Sequence, residues 1–319
     1  RCSSLHQLWR MGTFVIAIQT VLPLFLVIFA GAIFSRVKVN HENWIDVLNK
    51  YALWIGFPAL VIFSLMKLDV SEKSYSTFII LNSVFILASM VLVFPVSKIL
   101  NLSVQTKRTL FLILPFGNVS YLGIPVLFNA YGENILPEAA IISAIYVFWL
   151  LTLAILLIEV YGEEKVNPKK LGLSLAKNPL LLSVFAGLLI VIFKIKLPDF
   201  AVKTIELFSN SVTAVVLFFL GIFLGKHKIG KLKEWGTVAF INVAVMIVLP
   251  WLFYRILLLF PLENVDLKSI IIDAAMPLGV TPYVLALQYK LDTVLLTRVV
   301  VFGTIISVVV IPMFIAILK

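Results

Sequence analysis

Two short segments carry the residues best suited to chemistry. The first reads Pro115-Phe116-Gly117-Asn118-Val119-Ser120-Tyr121 and runs on to Gly123 and Pro125. The second reads Pro277-Leu278-Gly279-Val280-Thr281-Pro282-Tyr283. Both fit the pattern P-x-G-x-x-x-Y, at an offset of 162 residues. A proline inside a helix removes a backbone hydrogen bond and clashes with the preceding turn, and glycine adds backbone freedom. A single proline gives a kink, which is the reading for Pro23, Pro58 and Pro250. A cluster frees several backbone groups at once, and inside a bilayer these need partners in protein or water. The chemistry this favours is noncovalent capture of an anion by the positively polarised N-terminal ends of interrupted helices.

Polar side chains gather at both breaks. Asn118 can donate and accept hydrogen bonds, and Ser120, Thr281 and Tyr283 add hydroxyls. With Gly117 and Gly279 they form the candidate substrate-binding set, and Pro115, Pro125, Pro277 and Pro282 are the candidate crossover and hinge residues. The same polar groups would also serve merely to satisfy freed backbone. Asp273 lies one turn before Pro277 and is the candidate for a coupling proton, unless it sits in a water-filled outer vestibule. Lys50, roughly two turns into the second helix, reads as a residue that snorkels to the cytoplasmic interface.

The elements that position these residues are membrane helices. Of 319 residues, 61% are hydrophobic and 13% charged, and the mean hydropathy is +1.09. Soluble domains run at about 45–50% apolar and about 25% charged, so lipid must be the solvent of this chain. Candidate spanning helices fall at 13–34, 44–66, 77–98, 108–130, 138–160, 178–195, 203–225, 235–259, 267–289 and 293–317. Residues 1–12 read as an N-terminal extension without function, and the polar stretch 161–177 as a cytoplasmic linker between two halves, 13–160 and 178–319. PLFLVIFAG at 23–31 and PLLLSVFAG at 179–187 share six of nine positions. Because each half has an odd number of helices, a duplication makes the repeat inverted. The expected fold is therefore an all-α membrane protein of two inverted five-helix repeats, with broken fourth and ninth helices that cross.

Charge sets the orientation. Fifteen of the 26 lysines and arginines fall in the loops after the odd-numbered helices, which places those loops in the cytoplasm and both termini outside the cell membrane. The net charge of +10 is thereby read as topology and contact with anionic lipid, not nucleic acid. A single cysteine and three scattered histidines give no disulfide framework, metal site or cofactor site, and no catalytic constellation stands out.

Residues 115–149 and 273–313 resemble the fourth-fifth and ninth-tenth helices of the auxin efflux carrier family. The likeness covers about 13–317 and rests on the crossover asparagine, the Gly-Ile-Pro after it, and the P-x-G-x-x-P-[FY]-V-x-A pattern. It implies an elevator-type secondary transporter of small organic anions, auxin-like or malate- and malonate-like, whose carboxylate Asn118 contacts. Asn82 and Ile86 stand where plant members carry a charged pair, and Asp273 where they carry glutamine. The expected partners are the anion, a coupling proton or sodium ion, the bilayer and a second copy in a homodimer. A cation/proton antiporter on a related inverted repeat, and a non-transporting membrane sensor, remain as alternatives.

Overall fold

The computed structural model describes residues 2–38, 41–66, 75–162, 169, 172–173, 176–226 and 235–318, without the side chains of 2–14, 41, 42, 284, 287 and 288. The chain is all-helical over these residues apart from one isolated antiparallel bridge, Gly117 to Leu278. In chain order the helices are α1 (Cys2–Phe34), α2 (41–65), α3 (Ser76–Ile99), α4a (Val104–Ile113), α4b (Val119–Tyr131) and α5 (Glu133–Val160). They continue as α6 (Pro179–Ile192), α7 (Asp199–Lys226), α8 (Trp235–Leu257), α9a (Asn264–Ala274), α9b (Thr281–Gln288) and α10 (Thr293–Ile317). Among the described residues, seven helices are long and apolar enough to cross a membrane, and α4b and α6 are shorter apolar helices. Most of the 161–177 linker lies outside the described residues.

Helix ends follow local chemistry more than hydropathy. The fourth helix starts at Val104, ahead of the expected 108, because the Ser103 hydroxyl accepts from the Thr106 amide at 3.1 Å and caps the polar turn that follows. Asn178 caps α6 by accepting from Leu180 and Leu181. That helix stops at Ile192, short of 195, where Lys194 takes φ 49° and turns the backbone out of the helical path. Asp292 caps α10 through the Leu295 amide. Lys50 pairs with Asp46, one turn earlier and on an exposed face, at 2.6 Å.

Three prolines share one signature. Phe57, Ile124 and Leu249 each donate to the carbonyl five residues back, and each is followed by a proline: Pro58, Pro125 and Pro250. The ring displaces the carbonyl that would have closed an ordinary turn, and the helix absorbs it as a wide π turn. The kinks expected at Pro58 and Pro250 thus take a specific form.

The helices pack as two groups. α1, α2, α6 and α7 form one, with α7 packed on α1 and on α2 as its tightest pairs. A Cβ at Gly31 would meet the Phe218 carbonyl, and one at Gly221 would meet that of Ile28, so the α1 and α7 backbones touch only because both residues are glycine. Gly225 extends the contact one turn, against Ala32 and Ser35. α3, α5, α8, α10 and the broken pairs α4 and α9 form the second group, which meets the first where α1 packs on α10 and α2 and α6 pack on α5.

Candidate substrate site at the helix crossing

The fourth and ninth helices are interrupted, at 114–118 and 275–280, and the interruptions touch. The Asn118 amide donates to the Pro277 carbonyl at 2.7 Å, next to the Gly117–Leu278 bridge. The Asn118 carbonyl in turn accepts from Leu122 at 3.1 Å and Gly123 at 2.8 Å, starting α4b. Close approach requires glycine. A Cβ on Gly117 would lie 3.0 Å from the Met276 carbonyl, and one on Gly279 would lie 3.3 Å from the Asn118 Cα. α4b and α9b start at the crossing, and α4a and α9a end there, so both polarities of helix end converge on one spot.

A cavity of about 40 Å³ opens at this spot. The breaks bring Gly117, Asn118, Ser120, Gly279, Thr281 and Pro282 to its wall. Sequence reasoning missed Tyr146, Val147 and Leu150 of α5, which close the cavity from the side. The Asn118 side chain is buried, and its Nδ2 has no hydrogen-bond partner among the described residues. An amide N–H left in that state costs about 1–3 kcal/mol, so it is poised for an acceptor that enters from outside. A water molecule takes up about 30 Å³ of liquid, so the cavity holds little more than one.

Tyr283 does not line the cavity. Its ring lies 5.2 Å from Phe223 of α7. Tyr121, its counterpart in the other break, lies 5.7 Å from Phe219 of α7 and 5.1 Å from Phe57, and its hydroxyl donates to Asn49 Oδ1 of α2 at 2.6 Å. The two matched tyrosines therefore stand on successive turns of α7 and tie the crossing to the first helix group. Pro115 and Pro125 flank α4b's break away from the cavity wall, and Pro277 serves as the acceptor for Asn118.

A second cavity of about 300 Å³ lies between the two helix groups. Pro23 of α1, Phe63 of α2, Asn129 and Glu133 at the α4b–α5 turn, and Asn210 and Thr213 of α7 contribute to it. Asp273 is in neither cavity: it is fully buried, and neither carboxylate oxygen has a hydrogen-bond partner among the described residues. The vestibule placement is thereby corrected, because Gly123 of α4b packs directly on the carboxylate; a Cβ there would collide with Oδ1. Among the described residues no three His, Cys, Asp or Glu side chains gather as metal ligands. At the lysine-rich end, Arg108 donates to the Ile158 carbonyl at 2.9 Å and Lys107 lies 3.9 Å over the Tyr161 ring, so both basic residues are anchored to α5 and the residue after it.

Apolar helices of membrane-spanning length around a polar, glycine-lined break fit an integral membrane protein. The chain belongs to the Membrane transport protein family, whose sequence model matches residues 16–315. It is 26% identical to an uncharacterized transporter of Methanocaldococcus jannaschii, over 92% of this chain and 95% of that one. It is 22% identical to a Rhizobium meliloti protein whose name describes a malonate transporter, over 84% and 85% of the two chains. It is also 30% identical to auxin efflux carrier component 6 of Arabidopsis thaliana, over 43% of this chain and 25% of that one. The family resemblance read from the two proline-glycine segments is thus borne out, and these relatives are named as transporters.

Proposed function

We propose that this chain is a secondary transporter of small organic carboxylates, which bind where α4 and α9 cross. The observation that carries the reading is the buried, unpartnered Asn118 Nδ2 at the meeting point of two broken helices. A carboxylate there accepts from Asn118 and from backbone amides at the starts of α4b and α9b, with Ser120 and Thr281 within the same wall. Malonate is the first substrate to try, given the Rhizobium meliloti relative.

The transport cycle fits an inverted repeat of five helices, each broken pair counting as one helix. Several correspondences support it. Gly31 packs α1 on α7, and its repeat mate Gly187 packs α6 against Leu65 of α2. Asn82 of α3 and Asn242 of α8 are both buried, and each donates its side-chain amide to the carbonyl four residues back, at 2.8 Å and 2.9 Å. Gly132 and Lys290, one residue after α4b and two after α9b, both have positive φ. In the elevator-type cycle, α3, α4, α5, α8, α9 and α10 shift against α1, α2, α6 and α7, opening the small cavity to one side at a time. The lysine-rich loops face the cytoplasm, both termini lie outside the cell membrane, and a homodimer is the expected assembly.

The test is purified protein in liposomes loaded with unlabelled malonate and supplied with labelled malonate outside. Exchange that saturates with concentration is expected. If malonate and a panel of other mono- and dicarboxylates neither exchange nor raise the melting temperature of the protein, the reading fails.

A further inference from the structure

The buried carboxyl of Asp273 is not used by the binding step described above, and its surroundings are unusual. From α4b it faces the Gly123 backbone, with the Asn118 carbonyl next to that glycine. From α5 the Tyr146 hydroxyl is within electrostatic reach. On α10, Gly303 marks the level of Pro277, since a Cβ there would lie 3.1 Å from the Pro277 ring. Thr304 follows Gly303 directly and Ser307 one turn later, and the hydroxyls of both bond to their own helix. Arg298 lies five residues before Gly303. On α8, Asn242 adjoins Gly303, and Tyr254 and Arg255 follow 12 and 13 residues later, about 18 Å along the helix. Lys268 of α9a itself lies over the Tyr131 ring, more than one turn from Asp273. Among the described residues, neither oxygen of the carboxyl has a hydrogen-bond partner.

We propose that Asp273 binds the transported proton, so that a substrate carboxylate replaces the Asp273 charge at the crossing whenever the loaded carrier moves. The inference rests on the carboxylate-transport reading. The first turn of α4b, which contains Gly123, presents partial positive charge to whatever stands against it. In the empty carrier that charge faces the Asp273 carboxylate. When a substrate carboxylate docks at Asn118, a second anion would come close to the buried Asp273 carboxylate across the Gly123 backbone, which is strongly unfavourable. A proton from solution then adds to an Asp273 oxygen, the Asp273 charge disappears, and the substrate's single carboxylate takes its place. On the other side the substrate leaves and the O–H proton returns to water. Each cycle moves one proton with one substrate. A monocarboxylate crosses without net charge, and malonate with its second carboxylate ionised crosses with one net negative charge. By linkage, the proton and the substrate strengthen each other's binding equally.

The experiment uses the reconstituted protein with malonate and an internal pH dye. Wild type is expected to exchange malonate at equal pH and, under a malonate gradient, to move protons with it. Asp273→Asn is expected to keep exchange within about threefold while losing at least about tenfold in malonate-driven proton movement. Proton movement that persists in Asp273→Asn, or wild type that carries malonate down its gradient with no proton, overturns the proposal while leaving the carboxylate reading intact. If wild type carries no malonate, the substrate reading has failed, and Asp273 is judged by the carboxyl infrared band lost on Asp273→Asn: a pH-dependent band supports proton binding, and one unchanged between roughly pH 4 and pH 9 contradicts it. Should Asp273→Asn not fold, Asp273→Glu replaces it; proton-coupled malonate movement by that variant supports the proposal, and uncoupled exchange overturns it.

Discussion

The backbone amide of Asn118 donates to the carbonyl of Pro277 across 2.7 Å, joining two segments 159 positions apart in the chain. Each partner exists because a proline cluster stopped its helix, and each would be an unsatisfied polar group in a membrane without the other. The same bond holds the backbone from which the Asn118 side chain projects, and its buried Nδ2 has no hydrogen-bond partner among the described residues. Fold and candidate site are one feature here, and substitutions that disturb the backbone at the crossing should act on both.

Gly117→Ala is the direct test of the close approach. Its Cβ would be 3.0 Å from both the Met276 Cβ and the Met276 carbonyl, and the carbonyl cannot rotate away as a side chain can. We expect a loss of about 1–3 kcal/mol, read as a lower melting temperature in detergent. Gly236→Ala, where an added Cβ meets nothing within 4 Å, is the control and should not lower it.

Tyr121→Phe removes the bond to Asn49 and keeps the ring on Phe57 and Phe219. Because this bond joins the crossing to α2, its loss should alter the rate of malonate exchange more than the half-saturating concentration. A stability loss of about 1 kcal/mol is expected alongside. Exchange kinetics in liposomes would contradict this by showing a changed KM at constant rate.

Gly221→Val is expected to separate α1 from α7, since even a Cβ at that position would overlap the Ile28 carbonyl. Overpacking of this kind costs about 1–3 kcal/mol or more. The readout is the monodisperse fraction on size exclusion. Gly172→Val, at an open position, should leave that fraction unchanged.

The crossing was legible in the sequence because proline and glycine act locally: Pro115, Gly117, Pro277 and Gly279 announce lost hydrogen bonds whatever surrounds them. The α1–α7 contact was half legible. Gly31 stood out in the repeat, but its partner Gly221 depends on a packing register that no periodicity reveals. Tyr146 was invisible, since an aromatic residue in a long apolar helix reads as core or lipid-facing surface until its neighbours are known. Tyr283 shows the same limit from the other side: its type suited a site, and its side-chain direction put it on Phe223. The burial of Asp273 against Gly123 likewise depends on how two distant segments meet.

The central claim is that a substrate carboxylate accepts a hydrogen bond from Asn118 at the crossing. The most direct measurement is the affinity of purified wild type and Asn118→Ala for malonate, by equilibrium binding in detergent at equal pH and salt. A hydrogen bond to a charged group contributes about 1.5–3 kcal/mol, so binding should weaken by about tenfold or more with the melting temperature of the empty protein little changed. Equal affinity in the two proteins would contradict the claim.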